Sequence, residues 1–144
     1  MKIFTIGFTQ KSAKEFFEAL RAAGVRRLID VRLNNVSQLA GFSKKSDLEY
    51  FLDAICSIPY SHRVDLAPTQ DMLDEYKKSG GSWEAYEKRF LGLMEDRRIS
   101  ETLSRELVDG SCLLCSELKP KQCHRRLVAE HLKSKWGDIT ITHL

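Results

Sequence analysis

No stretch of this sequence approaches the roughly 18 consecutive apolar residues of a membrane-spanning helix. No membrane partner is expected. The amino end also lacks a basic segment followed by a long apolar one, and Met1 to Gly7 reads as a first strand rather than a leader. The expected location is the cytoplasm. Repeats, low-complexity segments and linkers are missing as well, so the 144 residues read as one domain large enough for a real core. Charge of one sign is absent: 23 Lys and Arg stand against 20 Asp and Glu, for a net +3. The basic pairs Arg26-Arg27, Lys44-Lys45, Lys77-Lys78, Arg97-Arg98 and Arg125-Arg126 are scattered among acids, as on a solvated surface. A nucleic-acid face would need the fold to gather them. The four cysteines are an even number, but the chain is too large and too well filled with helices to need a disulfide frame, and reduced thiols are expected.

Polar chemistry is concentrated from Ser111 to Arg126, which holds three of the four cysteines, a histidine, a glutamate and two adjacent arginines. Cys112 to Cys115 is a short apolar run after Asp109-Gly110 and reads as a buried strand. Beyond Pro120, the spacing of Leu127, Val128, His131 and Leu132 predicts a helix. The reactive residue types therefore fall where a strand ends and a helix begins.

The remaining pattern is α/β. Strand Lys2–Ile6 precedes a helix with a capping box at Ser12 and Glu15 and a stop at Gly24; strand Arg27–Val31 follows, the signature of a parallel crossover. Leu33 to Ser43 is a polar loop. A second capping box, Ser46 with Glu49, opens a helix expected to bury Leu48, Phe51, Leu52 and Ile55. Ile58 to His62 reads as a short third strand. Thr69 and Ser82 are expected helix caps, with Met72, Leu73, Tyr76, Trp83, Tyr86, Phe90, Leu93 and Met94 facing inward as ordinary core packing. A helical break is expected near Ser100. Asp138 to Leu144 reads as the last strand. The expected fold is a single three-layer α/β domain over 1–144, Rossmann-like, its mostly parallel sheet covered by helices. The helical stretch 69–109 is long for one crossover and reads as a side lobe or lid.

Ligands of open parallel sheets bind beyond the carboxyl ends of the strands. Those ends supply Thr5 to Thr9, Asp30, Arg32, His62, Ser116 and Glu117, and the Cys123-His124-Arg125-Arg126 helix start belongs to the same edge. A helix start attracts anions, and arginines add two-pronged hydrogen bonds. Arg32, Arg125, Arg126, Thr5, Thr9 and Asp30 are thus the candidate anion-binding residues. Cys123, beside histidine and arginine, is expected to have a depressed pKa and to act as nucleophile, with His124 moving protons and Glu117 as acid/base or orienting group. Cys115 is a redox candidate. Blander readings stand beside these: Cys56 and Cys112 as buried apolar residues, Cys123 as a structural thiol, Arg32 as the partner of Asp30 or Glu117. Zinc on Cys112-x-x-Cys115 with Cys123-His124 is disfavoured, because strand residues three apart point to opposite faces. No metal and no cofactor are expected.

The motifs Thr5-Ile6-Gly7, Leu28-Ile29-Asp30-Val31-Arg32, Asn34-Asn35 with Ser37, Tyr60, Leu66-Ala67-Pro68-Thr69, Trp83-x-x-Tyr86-Glu87, Leu113-Leu114-Cys115-Ser116-Glu117, Cys123-His124-Arg125-Arg126 and His143-Leu144 run nearly end to end. With them the chain resembles the family catalogued as domain of unknown function family 488. That resemblance implies the α/β fold and the choice of site, not a reaction. Ile29-Asp30-Val31-Arg32 also echoes rhodanese domains. Cys123, however, is followed at once by His124-Arg125, without the anion-binding loop of rhodaneses and cysteine phosphatases, so the echo is one of chemistry. Two functions follow: an enzyme using a cysteine on a small phosphate-bearing or otherwise anionic substrate, or a non-catalytic module binding nucleic acid or a nucleotide.

Overall fold

Side chains alternate across a strand, and here the alternation sorts them into two separate cores, one on each face of a sheet. The structure, a computed structural model, describes residues 1–35, 41–117 and 120–144. Its strands are β1 (Lys2–Gly7), β2 (Arg27–Asp30), β3 (Tyr60–His62), β4 (Ser111–Cys115) and β5 (Thr140–His143). All pair in parallel, in the order β3-β2-β4-β1-β5. The helices among the described residues are α1 (Ala13–Ala23), α2 (Lys45–Phe51), α3 (Gln70–Lys77), α4 (Trp83–Asp96), α5 (Ile99–Thr102), α6 (Arg105–Val108) and α7 (His124–Trp136). One core joins Ile3, Ile29, Leu113 and Cys115 to α4 and α7; the other joins Phe4, Ile6, Leu28, Cys112 and Leu114 to α1 and α2. The result is the expected three-layer α/β domain, with a sheet wholly rather than mostly parallel.

Strand β4 lies between β2 and β1 with all five residues buried, as its apolar run requires of a central parallel strand. Its carboxyl end therefore opens between the ends of two neighbours. Tyr86, Phe90 and Met94 of α4 join the same core as α7, and α4 packs against α7.

The Ser12–Glu15 capping box closes reciprocally, and Gly24 ends α1 in the left-handed region at φ 72°. Thr69 and Ser82 cap α3 and α4 as expected. The Ser46–Glu49 box does not form: Lys44 is the N-cap, with no side-chain cap bond. After a 3-10 turn at Gly41–Ser43 the chain is extended at Lys44 and enters the helix at Lys45, whose N–H donates to the Asn35 carbonyl, so Ser46 falls inside the first turn. Leu48 and Leu52 are buried as expected and Phe51 is half-buried, but Ile55 is 42% exposed. Leu52–Cys56 winds as a π-helix, whose wider turn rotates Ile55 out of the inward stripe. The break expected near Ser100 comes earlier, where Arg98 adopts φ 53°. Ser37 lies outside the described residues.

Candidate functional site

Strand β4 ends at Cys115, and α7 begins with Cys123 as its N-cap and His124 as its first residue. The three come together at this edge: their ligand atoms all lie within 4.8 Å of one another, and all three residues are buried. His124 Nδ1 faces Cys115 Sγ at 3.6 Å, while Nε2 is 2.6 Å from the Val31 carbonyl at the end of β2. A carbonyl only accepts, so Nε2 carries a proton and donates it, and Nδ1 is left to the sulfur.

The electrostatics separate the two thiols. Burial pushes the Cys115 thiol up, but a hydrogen bond from Cys123 and the charge and hydrogen bond of His124 outweigh it, and the net pKa is well below that of an ordinary thiol. His124 is moved the other way: burial lowers it, but the Cys115 charge and hydrogen bond prevail, and its pKa is raised. Burial, then the hydrogen bond and charge of Cys115, hold the Cys123 pKa well above the ordinary value, although Arg125 opposes them. The expected acidification of Cys123 is therefore corrected. It caps the helix start, but the thiol that faces His124 Nδ1, and whose pKa is lowered, is Cys115.

Arg125 is fully buried behind this group. It donates from Nε to Thr5 Oγ1 at 3.3 Å, from Nη1 to the Glu117 carbonyl, and from Nη1 toward Cys123 Sγ at 3.7 Å. Gly7 makes room: a Cβ there would overlap the Glu117 carbonyl and lie 2.7 Å from Arg125 Nη1. Arg32 is also buried and forks onto Asp30, Nε to Oδ1 at 2.9 Å and Nη2 to Oδ2 at 2.8 Å; Nη2 also donates to the Ser43 carbonyl at 2.8 Å. Tyr60 donates its hydroxyl to Asp30 Oδ2 at 2.6 Å. Two prongs of Arg32 are thus occupied, and its buried Nη1 has no hydrogen-bond partner among the described residues.

Above the cysteines lies a cleft of about 790 Å³. Its floor is Cys115, Cys123 and His124; Arg32, Thr9 and Asn34 form one wall, and Tyr76, Lys77, Trp83 and Tyr86 from α3 and α4 the other. An aromatic row runs from Trp83, stacked on Tyr86 at 5.1 Å, through Phe90 to His124 at 5.5 Å. Lys121 and Gln122 close the side nearest α7.

A family model described as "Domain of unknown function DUF488" matches residues 12–132. The chain belongs to the DUF488 family. No curated protein and no solved structure matches it. Of the residues singled out in this DUF488 chain from sequence, Thr9, Arg32, Cys115, Glu117, Cys123 and His124 line the cleft. Asp30, Thr5 and Arg125 lie beneath or behind it. Arg126 points away and pairs with Glu130 at 2.8 Å. The last three residues of Cys-His-Arg-Arg could not all face one ligand, because successive helical positions are turned by about 100°. Glu117 is paired with Lys77 at 3.3 Å rather than with an arginine or histidine.

Sequence reasoning took Tyr76, Trp83 and Tyr86 as core and did not single out Lys77, Lys121 or Gln122. Helical periodicity cannot separate a core aromatic from one at a cleft wall; the Trp-x-x-Tyr-Glu motif was the available signal. The strand argument about zinc holds for Cys112 and Cys115, which fall in opposite cores. It did not consider Cys115 with Cys123 and His124, which together could hold a thiophilic ion such as zinc.

Proposed function

We propose that the cleft is the active site of an enzyme in which a cysteine attacks a small anionic or phosphate-bearing substrate, and that the attacking residue is Cys115. One observation carries this reading: Cys115 Sγ faces His124 Nδ1 at 3.6 Å while the Val31 carbonyl holds the other ring nitrogen, at the floor of an open cleft. A thiolate beside an imidazolium is the activated form of a cysteine nucleophile. His124 supplies the proton for the leaving group. Lys77 and Lys121 on the rim, with the Arg32 edge, give the cleft its attraction for anions. The nucleic-acid module draws less support, because its basic pairs serve the fold: Arg97 donates to the Asp65 and Ala67 carbonyls, and Arg125 is buried.

The test is alkylation. Cys115 should react with iodoacetamide at neutral pH about 10-fold or more faster than an ordinary thiol, whose reactivity falls about tenfold per pH unit below its pKa. The anionic iodoacetate should be favoured over iodoacetamide relative to a free thiol, and inorganic phosphate should protect. Labelling of Cys115 no faster than that of Cys56 would refute the reading.

A further inference from the structure

The nucleophile reading leaves Cys123 without a task, although a second thiol beside a reactive one is a costly neighbour unless it acts. Cys123 Sγ lies within 4.8 Å of Cys115 Sγ, and both residues line the same cleft. The other two cysteines are placed differently: Cys112 is in the opposite core, and Cys56 is half-buried and contacts the Phe17 carbonyl at 3.7 Å. Pairing is thus confined to two sulfurs from the two elements that meet at the cleft.

Resting on the nucleophile reading, we infer that Cys123 is the resolving thiol of Cys115 and that the substrate is an anionic disulfide, reduced through a Cys115–Cys123 disulfide. In the first step the Cys115 thiolate attacks one sulfur of the substrate. The substrate S–S bond breaks, a mixed disulfide forms on Cys115, and the departing thiolate takes the proton from His124 Nδ1. In the second step Cys123 gives its proton to the now neutral His124 and attacks Cys115 Sγ. The mixed disulfide breaks, the Cys115–Cys123 bond forms, and the second substrate thiolate leaves with that proton. The substrate gains two electrons and two protons; the protein loses them. An external dithiol then resets the pair by the reverse exchange.

The geometry orders the steps. While Cys115 is a thiolate, its charge and hydrogen bond keep Cys123 protonated. Once Cys115 is bound to the substrate sulfur it carries no charge, and Arg125 at 3.7 Å from Cys123 Sγ favours the second thiolate. A thiolate then stands beside the sulfur it must attack. A phosphoryl or acyl adduct would gain nothing from such a thiol; an adduct on sulfur is what a neighbouring thiolate cleaves.

The experiment uses dithiobis(nitrobenzoate), an anionic aromatic disulfide, on the reduced full chain carrying Cys56→Ser. The expected result is a fast release of two equivalents of coloured thiolate per chain. No aryl group should be retained, the mass should fall by two hydrogens, and a peptide map should join Cys115 to Cys123. Cys123→Ser should release one equivalent and keep the aryl group on Cys115 until a dithiol is added. A parent chain that keeps a stable aryl adduct on Cys115 would overturn the resolving role while leaving the nucleophile intact. Absence of any fast reaction at Cys115 would overturn both readings. So would stoichiometric zinc in protein purified without chelator whose removal is required for reaction, since the three residues would then be metal ligands. Each overturning outcome is read on the Cys56→Ser chain itself, so none depends on whether Cys123→Ser folds.

Discussion

Arg32 and Arg125 are both arginines withdrawn from water, and they solve the problem of a buried charge differently. Arg32 has a carboxylate two residues away on the same strand end, at 2.8 Å. Removing one partner of such a pair leaves the other charge uncompensated. Arg32→Met should therefore cost about 3–5 kcal/mol of stability, read from urea unfolding with an unchanged slope. A loss under about 1 kcal/mol would mean that Arg32 is free to serve as an anion prong. Arg125 instead spends its donors on Thr5, the Glu117 carbonyl and Cys123. Both residues were legible as important because they stand at a strand end and a helix start on one sheet edge. Asp30 was legible as a partner of Arg32, but the Ser43 and Glu117 carbonyls carry no sequence mark of their use.

At the scale of the element, local chemistry decides only where nothing nearer competes for the same groups. Ser12 caps α1 because it is itself the extended residue at the helix start, at ψ 162°, where its side chain accepts from the Glu15 N–H. Ser46 has the same spacing to Glu49, but the extended N-cap there is Lys44, so Ser46 already lies in the first helical turn. Ser12→Ala should thus cost about 1 kcal/mol, whereas Ser46→Ala should stay within about 0.5 kcal/mol; the two chemical-denaturation midpoints check this directly. Equal losses would mean that the second capping box forms in solution. The π-helix over Leu52–Cys56 makes the same point, because Ile55 obeys an α-helical stripe in sequence and leaves it in space.

For the whole molecule, protonation couples the histidines to stability in opposite senses. His131 is lowered below the ordinary 6.5, chiefly by burial, with Lys135 lowering it further and Glu95 opposing. His143 is lowered too, by burial and then by Arg125 and Arg126, with Glu130 opposing. For both, the unfolded chain takes up its proton first, so stability is lost as the pH falls below about 6.5. His124 is raised, so its contribution is fully present below about 6.5 and is lost as the pH rises through its raised value. The Nε2 of His131 is buried without a hydrogen-bond partner among the described residues, which makes it the simpler one to remove. His131→Leu should shrink the fall in urea midpoint between about pH 7.5 and pH 5. An unchanged fall would assign acid sensitivity to other groups.

The sequence by itself determined the layered α/β plan, because period-two strands, a 3.6-residue stripe and caps such as Ser12 and Thr69 are short-range physics. It also placed Cys115 at a strand end and Cys123 with His124 at a helix start on the same sheet edge. That these three come together, and that His124 turns its Nδ1 to Cys115, was decided by the tertiary structure alone. That depends on the Val31 carbonyl, delivered by β2 beside β4, holding His124 so that Nδ1 faces Cys115. The strand order that makes those two ends neighbours depends on pairing across more than eighty residues of chain. No local pattern encodes a contact at that separation.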